Sequence, residues 1–299
     1  MADLLDPRWF PLIPIRHSRR SYLTAMPDRA SLDRLESLTH NFQIWRASDS
    51  FCLARAALLC NTDASQPVQS LFSGIIGSYG KIENPPCALL FIINSAAESE
   101  AKNLYPPAMN AWCAAGYVGQ AMILEATRLG LATCWVTGSF KPEIAQTLHN
   151  LQPGEEVIGV SPLGYPKPGK TLTEKMMNLV TGSTNRMHLS KIARGYESWP
   201  QWAQQAVASA RLAPSARNRQ PWRFVWTNQG LTINFEIQDN LDKSTFTHLE
   251  NKLRLDCGIA MLHVELSSRN SGIKGRWAFL DSPGVARFNL ARTRNTSLI

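Results

Sequence analysis

The sequence predicts an α+β chain made of two copies of one unit, folded as a pseudo-dimer within a single polypeptide. Three observations carry that expectation. Short apolar runs of strand length, such as CALLFIIN (87–94), are interleaved with long helices that are apolar almost all round. The same order of elements recurs in the second half. The two central helices share Gly-x-Ala-Met, in GQAMILEA (119–126) and GIAMLHVEL (258–266), and each leads to Gly-Leu or Gly-Ile before the next strand. A chain of this kind is expected to place any site at the junction of its halves, drawn here at 1–193 and 194–299.

In order, SLDRLESLTHNF (31–42) carries leucines at 32, 35 and 38 on one helix face, with Ser31 or Asp28 available as the cap. CALLFIIN follows two prolines and reads as a buried strand. AWCAAGYVGQAMILEATRL (111–129) is the first central helix, stopped by Gly130. LATCWV (131–136) and EEVIGVSPL (155–163) are strands, and LTEKMMNLV (172–180) is compatible with a helix. In the second half a helix near 199–211 leads to PWRFVW (221–226). LTINFEI (231–237) pairs with it through Asn228-Gln229-Gly230. LRLDCGIAMLHVELSSR (253–269) is the second central helix, and KGRWAFL (274–280) a further strand.

Bulk composition narrows the function classes. A length of 299 residues suits one large domain or two ordinary ones. The net charge of +8 suits an anionic ligand, but the basic residues are scattered and no nucleic-acid-binding signature accompanies them. Nucleic acid is therefore not an expected partner. No apolar run approaches membrane-spanning length, so no membrane association is expected, and the opening residues do not form a secretory signal. The expected compartment is the cytoplasm. The six cysteines include no C-x-x-C pair and read as small buried hydrophobes, and neither they nor the six histidines support a metal site.

GYPKPGKT (164–171) matches the phosphate-loop pattern G-x-x-x-x-G-K-[ST]. A working loop cradles phosphates with successive backbone N–H groups, and Pro166 and Pro168 supply none. CALLFIIN ends in asparagine, LATCWV runs into threonine and EVIGVSPL ends in the loop itself, so none of these strands supplies the aspartate that would help hold magnesium. The run is expected to be an exposed strand-to-helix connection.

Two other stretches carry more chemistry. IRHSRRSY (15–22) sets Arg16, Ser18 and Arg20 at alternate positions, on one side of an extended backbone. Two guanidiniums flanking a hydroxyl suit a phosphate, and they equally suit a solvated basic face. In LAPSARNRQPWRFVW (212–226), Pro214, Ser215, Asn218 and Gln220 lie in an irregular segment before a strand, where they could bind a polar heterocycle or simply build a turn.

Together these stretches resemble the nitroreductase family of FMN-dependent oxidoreductases. Arg16, Ser18 and Arg20 match its R-x-S-x-R/K segment, and Pro214, Ser215, Asn218, Gln220, Pro221 and Trp222 match P-S-x-x-N-x-Q-P-W. GYVGQAMILEATRLGLATCWVTGSF (116–140) is similar to the family's central helix and flavin-covering loop. VSPLGYP (160–166) is similar to its strand ending in L-G-Y-P, and Asn185–Leu189 to its late R-x-P-L segment, with His188 in place of proline. The wide separation of the first two motifs resembles the subgroup in which one chain contains both halves.

The resemblance implies one FMN per chain. Arg16, Ser18, Arg20 and Arg186 would hold its phosphate or ribityl end, with backbone contacts from His17. Trp135, Val136, Thr137 and Gly138 would lie beside the isoalloxazine ring, and Pro214, Ser215 and Asn218 would reach it from the other half. Thr137 stands where most members have an acidic residue, and Thr184 where many have lysine. NADH or NADPH would be the electron donor and a nitroaromatic, quinone or similar small molecule the acceptor, with no catalytic side chain or metal required. The expected assembly is a monomer with an internal two-fold, or a dimer of such chains. A flavin-binding protein without efficient turnover and a nucleotide hydrolase are the rival expectations.

Overall fold

The computed structural model describes residues 4–42, 52–61, 67–72, 81–96, 110–169, 185–236 and 243–291. The eight residues of CALLFIIN, seven of them apolar, form strand β2 (Cys87–Asn94), buried along its whole length. Its neighbours are β1 (Ala54–Cys60) and β4 (Glu155–Gly164), and the two-residue β3 (Ala132–Thr133) pairs with the far side of β4. The second sheet contains β5 (Trp222–Thr227), β6 (Gly230–Phe235), β7 (Gly275–Phe279) and β8 (Gly284–Leu290). Every pairing in both sheets is antiparallel. The orders β1-β2-β4-β3 and β5-β6-β8-β7 are the same topology written twice.

Seven helices accompany the sheets among the described residues: α1 (Arg29–Asn41), α2 (Pro67–Ser70), α3 (Ala111–Arg128), α4 (Pro142–Leu148), α5 (Leu189–Ile192), α6 (Gln201–Ala210) and α7 (Lys243–Asn270). α3 lies between the second and third strands of the first sheet in chain order, and α7 holds the same place in the second. α1 starts on Asp28, whose carboxylate accepts the Ser31 amide at 2.8 Å, so Asp28 rather than Ser31 is its cap. α3 starts on Asn110 and ends before Gly130, whose φ of 75° is the left-handed turn a glycine terminator supplies.

α3 and α7 pack against each other and join the halves through one continuous core. Their approach is set by two glycines. A Cβ on Gly116 would overlap the Leu255 carbonyl, and one on Gly258 would overlap the Cys113 carbonyl. The contacts are reciprocal, as a two-fold axis between identical units requires. The same separation in sequence that carries Gly116 to Gly258 carries Gly130 to Gly272 and Trp135 to Trp277. It also relates the β-bulge after Phe91 to the bulge after Ile233.

This equivalence corrects the register of the repeat. Gly258 corresponds to Gly116, so the shared Gly-x-Ala-Met is displaced by about one turn. Gly119 has a different task, leaving room for the Trp135 ring. Other differences are local. LATCWV is paired as a ladder only at Ala132–Thr133, followed by an isolated bridge from Val136 to Val160. α7 begins ten residues before the apolar run at 253. The strands β1 and β8 and the helix α4 were not expected. LTEKMMNLV and Ile237 lie outside the described residues. No helix among the described residues is long and apolar enough to cross a membrane.

One buried carboxylate ties the N-terminal segment to this core. Glu125 on α3 is 0% exposed and accepts Trp9 Nε1 at 2.7 Å, Arg34 Nε at 2.6 Å and Arg128 Nε at 2.8 Å. Burial alone would raise its pKa, but the hydrogen bonds from Arg128, Trp9 and Arg34 hold it at about 2. Its contribution is therefore present above the ordinary carboxylate range and is lost as pH falls toward 2. Glu125→Ala leaves two guanidiniums and an indole without their acceptor. It should cost about 3 kcal/mol in urea unfolding at pH 7, and a loss below about 1 kcal/mol would show that the cluster is not needed.

Candidate functional site

The arginine segment is extended because backbone partners hold it on both sides. Arg19 N–H donates to Thr133 O at 2.9 Å. Glu83 N–H donates to Arg20 O at 2.9 Å, and Tyr22 N–H to Glu83 O at 3.0 Å. Alternation sorts the side chains in part, since His17 faces the same cavity as its neighbours. Arg16, Ser18 and Arg20 line a cavity of about 330 Å³, while Arg19 turns away and donates to the carbonyls of Lys167 and Gly169. The GYPKPGKT run therefore presents carbonyl oxygens to a cation, the opposite polarity to a phosphate cradle. Lys170 and Thr171 lie outside the described residues.

The cavity has a volume typical of small-molecule and cofactor sites. His17, Trp135, Thr137, Arg186, Pro214, Ser215 and Asn218 line it as well, so ten of the twelve expected site residues meet there. Val136 and Gly138 are not among the lining residues. The Val136 N–H donates to Val160 O at 2.9 Å, which commits that amide to the sheet.

Both halves build the walls. The 214–220 loop folds back on the run containing Arg186. Arg186 donates to Ala213 O at 2.9 Å, Leu212 O at 3.1 Å and Asn218 Oδ1 at 2.8 Å. Asn218 and Gln220 both donate to Asn185 O, and Gln220 accepts the Met187 amide. The loop holds Arg217, Asn218 and Gln220 at φ of 52°, 53° and 49°, a left-handed conformation that side chains other than glycine adopt at a cost.

Trp135 is fixed from behind. Its ring packs on Phe91 at a 4.2 Å centroid distance, and its Nε1 donates to Gln120 Oε1 at 3.1 Å. The Gln120 amide nitrogen faces His263 Nε2 at 2.9 Å, and His263 Nδ1 faces the Ser209 carbonyl at 3.1 Å. A carbonyl can only accept, so Nδ1 carries the proton and Nε2 accepts from Gln120. Burial lowers the His263 pKa to about 3, which keeps the ring neutral. This relay crosses the junction of the halves and ends at the cavity wall.

Arg16 is the most telling member of the site. It is 8% exposed, its Nε has no hydrogen-bond partner, and burial with the nearby Arg186 charge lowers its pKa to about 10. A guanidinium buried beside another and left with an unused donor calls for an anion.

Sequence reasoning missed the lining contributed by α7, namely Leu255, Asp256 and Ile259. The available signal was Asp256, one of two acidic residues inside the apolar run of that helix. Asp256 accepts the Ala216 N–H on both oxygens, at 3.1 and 3.2 Å, and so fastens the strained loop to α7. Burial raises its carboxyl to about 7, against the lowering effects of that amide and of Arg219. A raised folded-state value means that the contribution to stability is complete below about pH 4 and is lost as pH rises through 7. Asp256→Asn should therefore be more stable than the parent protein at pH 8, by roughly 2–4 kcal/mol in the ligand-free state, and no more stable at pH 4. Equal unfolding midpoints at pH 8 would contradict this.

The pseudo-two-fold relates Leu255, Asp256, Ile259 and Trp135 to Cys113, Ala114, Tyr117 and Trp277. At that second position the side chains satisfy one another. Tyr117 Oη and Trp277 Nε1 both donate to Glu265 Oε2, at 2.7 and 3.0 Å, and Phe42 stacks on Tyr117. No counterpart of the arginine segment is present in the second half of the sequence.

Residues 16–165 match the model of the nitroreductase family, and residues 106–268 match a family model described as "Putative TM nitroreductase". The two matches together span both halves. A crystal structure of a nitroreductase-like protein from Thermotoga maritima is 19% identical, with a TM-score of 0.56, covering 94% of this chain and 93% of that one. A nitroreductase family protein from Clostridium difficile is 19% identical, with a TM-score of 0.42, over 65% of this chain and 100% of its own. A nitroreductase with bound FMN from Bacteroides fragilis is 18% identical, with a TM-score of 0.36, over 55% and 91%. No curated protein matches the chain.

Proposed function

This chain belongs to the nitroreductase family, and from that premise we propose that it is an FMN-dependent oxidoreductase. It takes hydride from NADH or NADPH and passes it to a nitroaromatic, quinone or similar small acceptor. The observation that carries the reading is the buried Arg16, with its unused Nε, in a cavity that Arg20, Arg186 and Trp135 share. Bound FMN would supply the hydride chemistry.

The chain's own residues bind, orient and seclude. Arg16, Arg20 and Arg186, with Ser18 and His17, hold the phosphate or ribityl end. Trp135 and Thr137 flank the isoalloxazine ring, with Val136 fastening that run to the sheet. Pro214, Ser215 and Asn218 close the site from the second half. Asn218 does so while also fixing Arg186.

The test is a visible spectrum of the purified protein, followed under anaerobic addition of NADH or NADPH and then of a quinone. Flavin absorbance that bleaches with the nicotinamide and returns with the acceptor is the expected result. Bleaching only by dithionite would favour a flavin carrier without turnover, and protein that takes up no added FMN would sink the reading. Lys170→Ala should leave flavin binding unchanged, whereas a nucleotide hydrolase would depend on that lysine.

A further inference from the structure

Outside the cavity, the first sheet carries a pair of thiols whose chemistry flavin binding does not use. β1 and β2 pair so that Cys60 stands opposite Cys87. The Asn61 N–H donates to Pro86 O at 2.9 Å, which makes the next pair along the hydrogen-bonded one. Cys60 and Cys87 thus occupy a non-hydrogen-bonded pair, the position where opposed side chains come closest and where the Cα separation falls within the range a disulfide spans. Their sulfurs are 2.7 Å apart, and both thiols are free. Neither lines the cavity.

The two sulfurs are not equivalent. Cys87 is fully buried, and Cys60, at the end of β1, is partly exposed. Cys87 Sγ–H donates to Cys60 Sγ. This contact favours the Cys60 thiolate and holds the proton on Cys87. The accessible sulfur is therefore the one disposed to act as nucleophile, and the buried one stands ready to resolve it.

We propose that Cys60 and Cys87 form an oxidisable dithiol that a hydroperoxide closes into a disulfide across the β1–β2 pair. The Cys60 thiolate attacks the peroxide, forming an S–O bond as the O–O bond breaks, and the departing alkoxide or hydroxide takes up from solvent the proton that Cys60 released, leaving as alcohol or water. The Cys87 sulfur then displaces hydroxide from the Cys60 sulfenic acid, and the proton of Cys87 leaves with that hydroxide as water. The dithiol loses two electrons and the peroxide gains them. The bridge would anchor the start of β2 four residues beyond Glu83, which brackets Arg20 and Tyr22 from behind. The arginine segment is thus mechanically close to the redox pair. The proposal is independent of flavin binding.

The test treats the full-length protein with hydrogen peroxide, alkylates the remaining thiols under denaturing conditions, and digests it without reduction. The expected product is a peptide linkage joining Cys60 to Cys87, reversed by dithiothreitol. In Cys87→Ser the oxidation should stop at a Cys60 sulfenic acid that dimedone traps. In Cys60→Ser, altered only at the partly exposed position, Cys87 should stay reduced. Full alkylation of both cysteines in the treated parent protein would overturn the proposal, as would oxidation of Cys60 to sulfinic acid without a linkage. The parent protein alone decides between these outcomes, whether or not either variant folds.

Discussion

Arg16→Met should lower FMN affinity by about 100-fold or more while leaving the flavin-free protein at least as stable as its parent. The two effects have one cause. In the free protein the guanidinium is buried, lacks a partner for Nε and shares its surroundings with Arg186, so a methionine of similar length relieves an unpaired charge. In the proposed FMN complex that charge and its fork of donors would face a phosphate. Losing a charge-assisted, bidentate contact costs about 3 kcal/mol, and each 1.4 kcal/mol is tenfold in affinity.

Fluorescence titration with FMN and urea unfolding of the flavin-free protein measure the two halves of the expectation. Arg16→Lys should recover only part of the affinity, since an ammonium keeps the charge and loses the fork. A variant with unchanged affinity would show that Arg16 is not the phosphate seat.

The second large effect concerns the junction of the halves. Gly258→Val should cost more than about 4 kcal/mol or abolish folding, because its Cβ would meet the Cys113 backbone carbonyl, which cannot rotate aside. Gly116→Val should fail in the same way against Leu255. The milder Gly116→Ala and Gly258→Ala provide the sharper comparison. A two-fold arrangement predicts similar losses from the pair in chemical unfolding, although the two residues lie in different halves. A large loss from one and none from the other would mean that the helices are not equivalently packed.

Some parts of this architecture are legible in the sequence because their signal is local. CALLFIIN and the long apolar runs at 111–129 and 253–269 declare buried elements, and the repeated order of elements declares the duplication. The arginine segment is partly legible because alternation along an extended backbone needs no knowledge of the rest of the fold, although His17 faces the cavity as well. Alternation sends Arg19 away and Arg16 and Arg20 inward. β1 is harder to see, since Arg55 interrupts its apolar run. That arginine is drawn into the strand by the carboxylate of Glu155, at 2.7 Å. β8 is hidden in the same way by Arg287 and Asn289.

The least legible features depend on helix packing and strand register. Asp256 reaches the cavity only because α7 crosses α3 where two glycines permit. The shared letters of those helices suggest an alignment one turn away from the true one. Cys60 and Cys87 read as unrelated hydrophobes until the β1–β2 register sets them face to face.

The central claim is that both halves of the chain build one cavity, and that this cavity holds one FMN. The most direct measurement is native mass spectrometry of the full-length protein saturated with FMN, which counts flavins and polypeptides in the same ion. One FMN for each polypeptide is expected in a monomer, and two in a dimer of chains, because the position related to the cavity by the pseudo-two-fold is filled by Tyr117, Glu265 and Trp277. Two flavins per polypeptide, or none, would contradict the account.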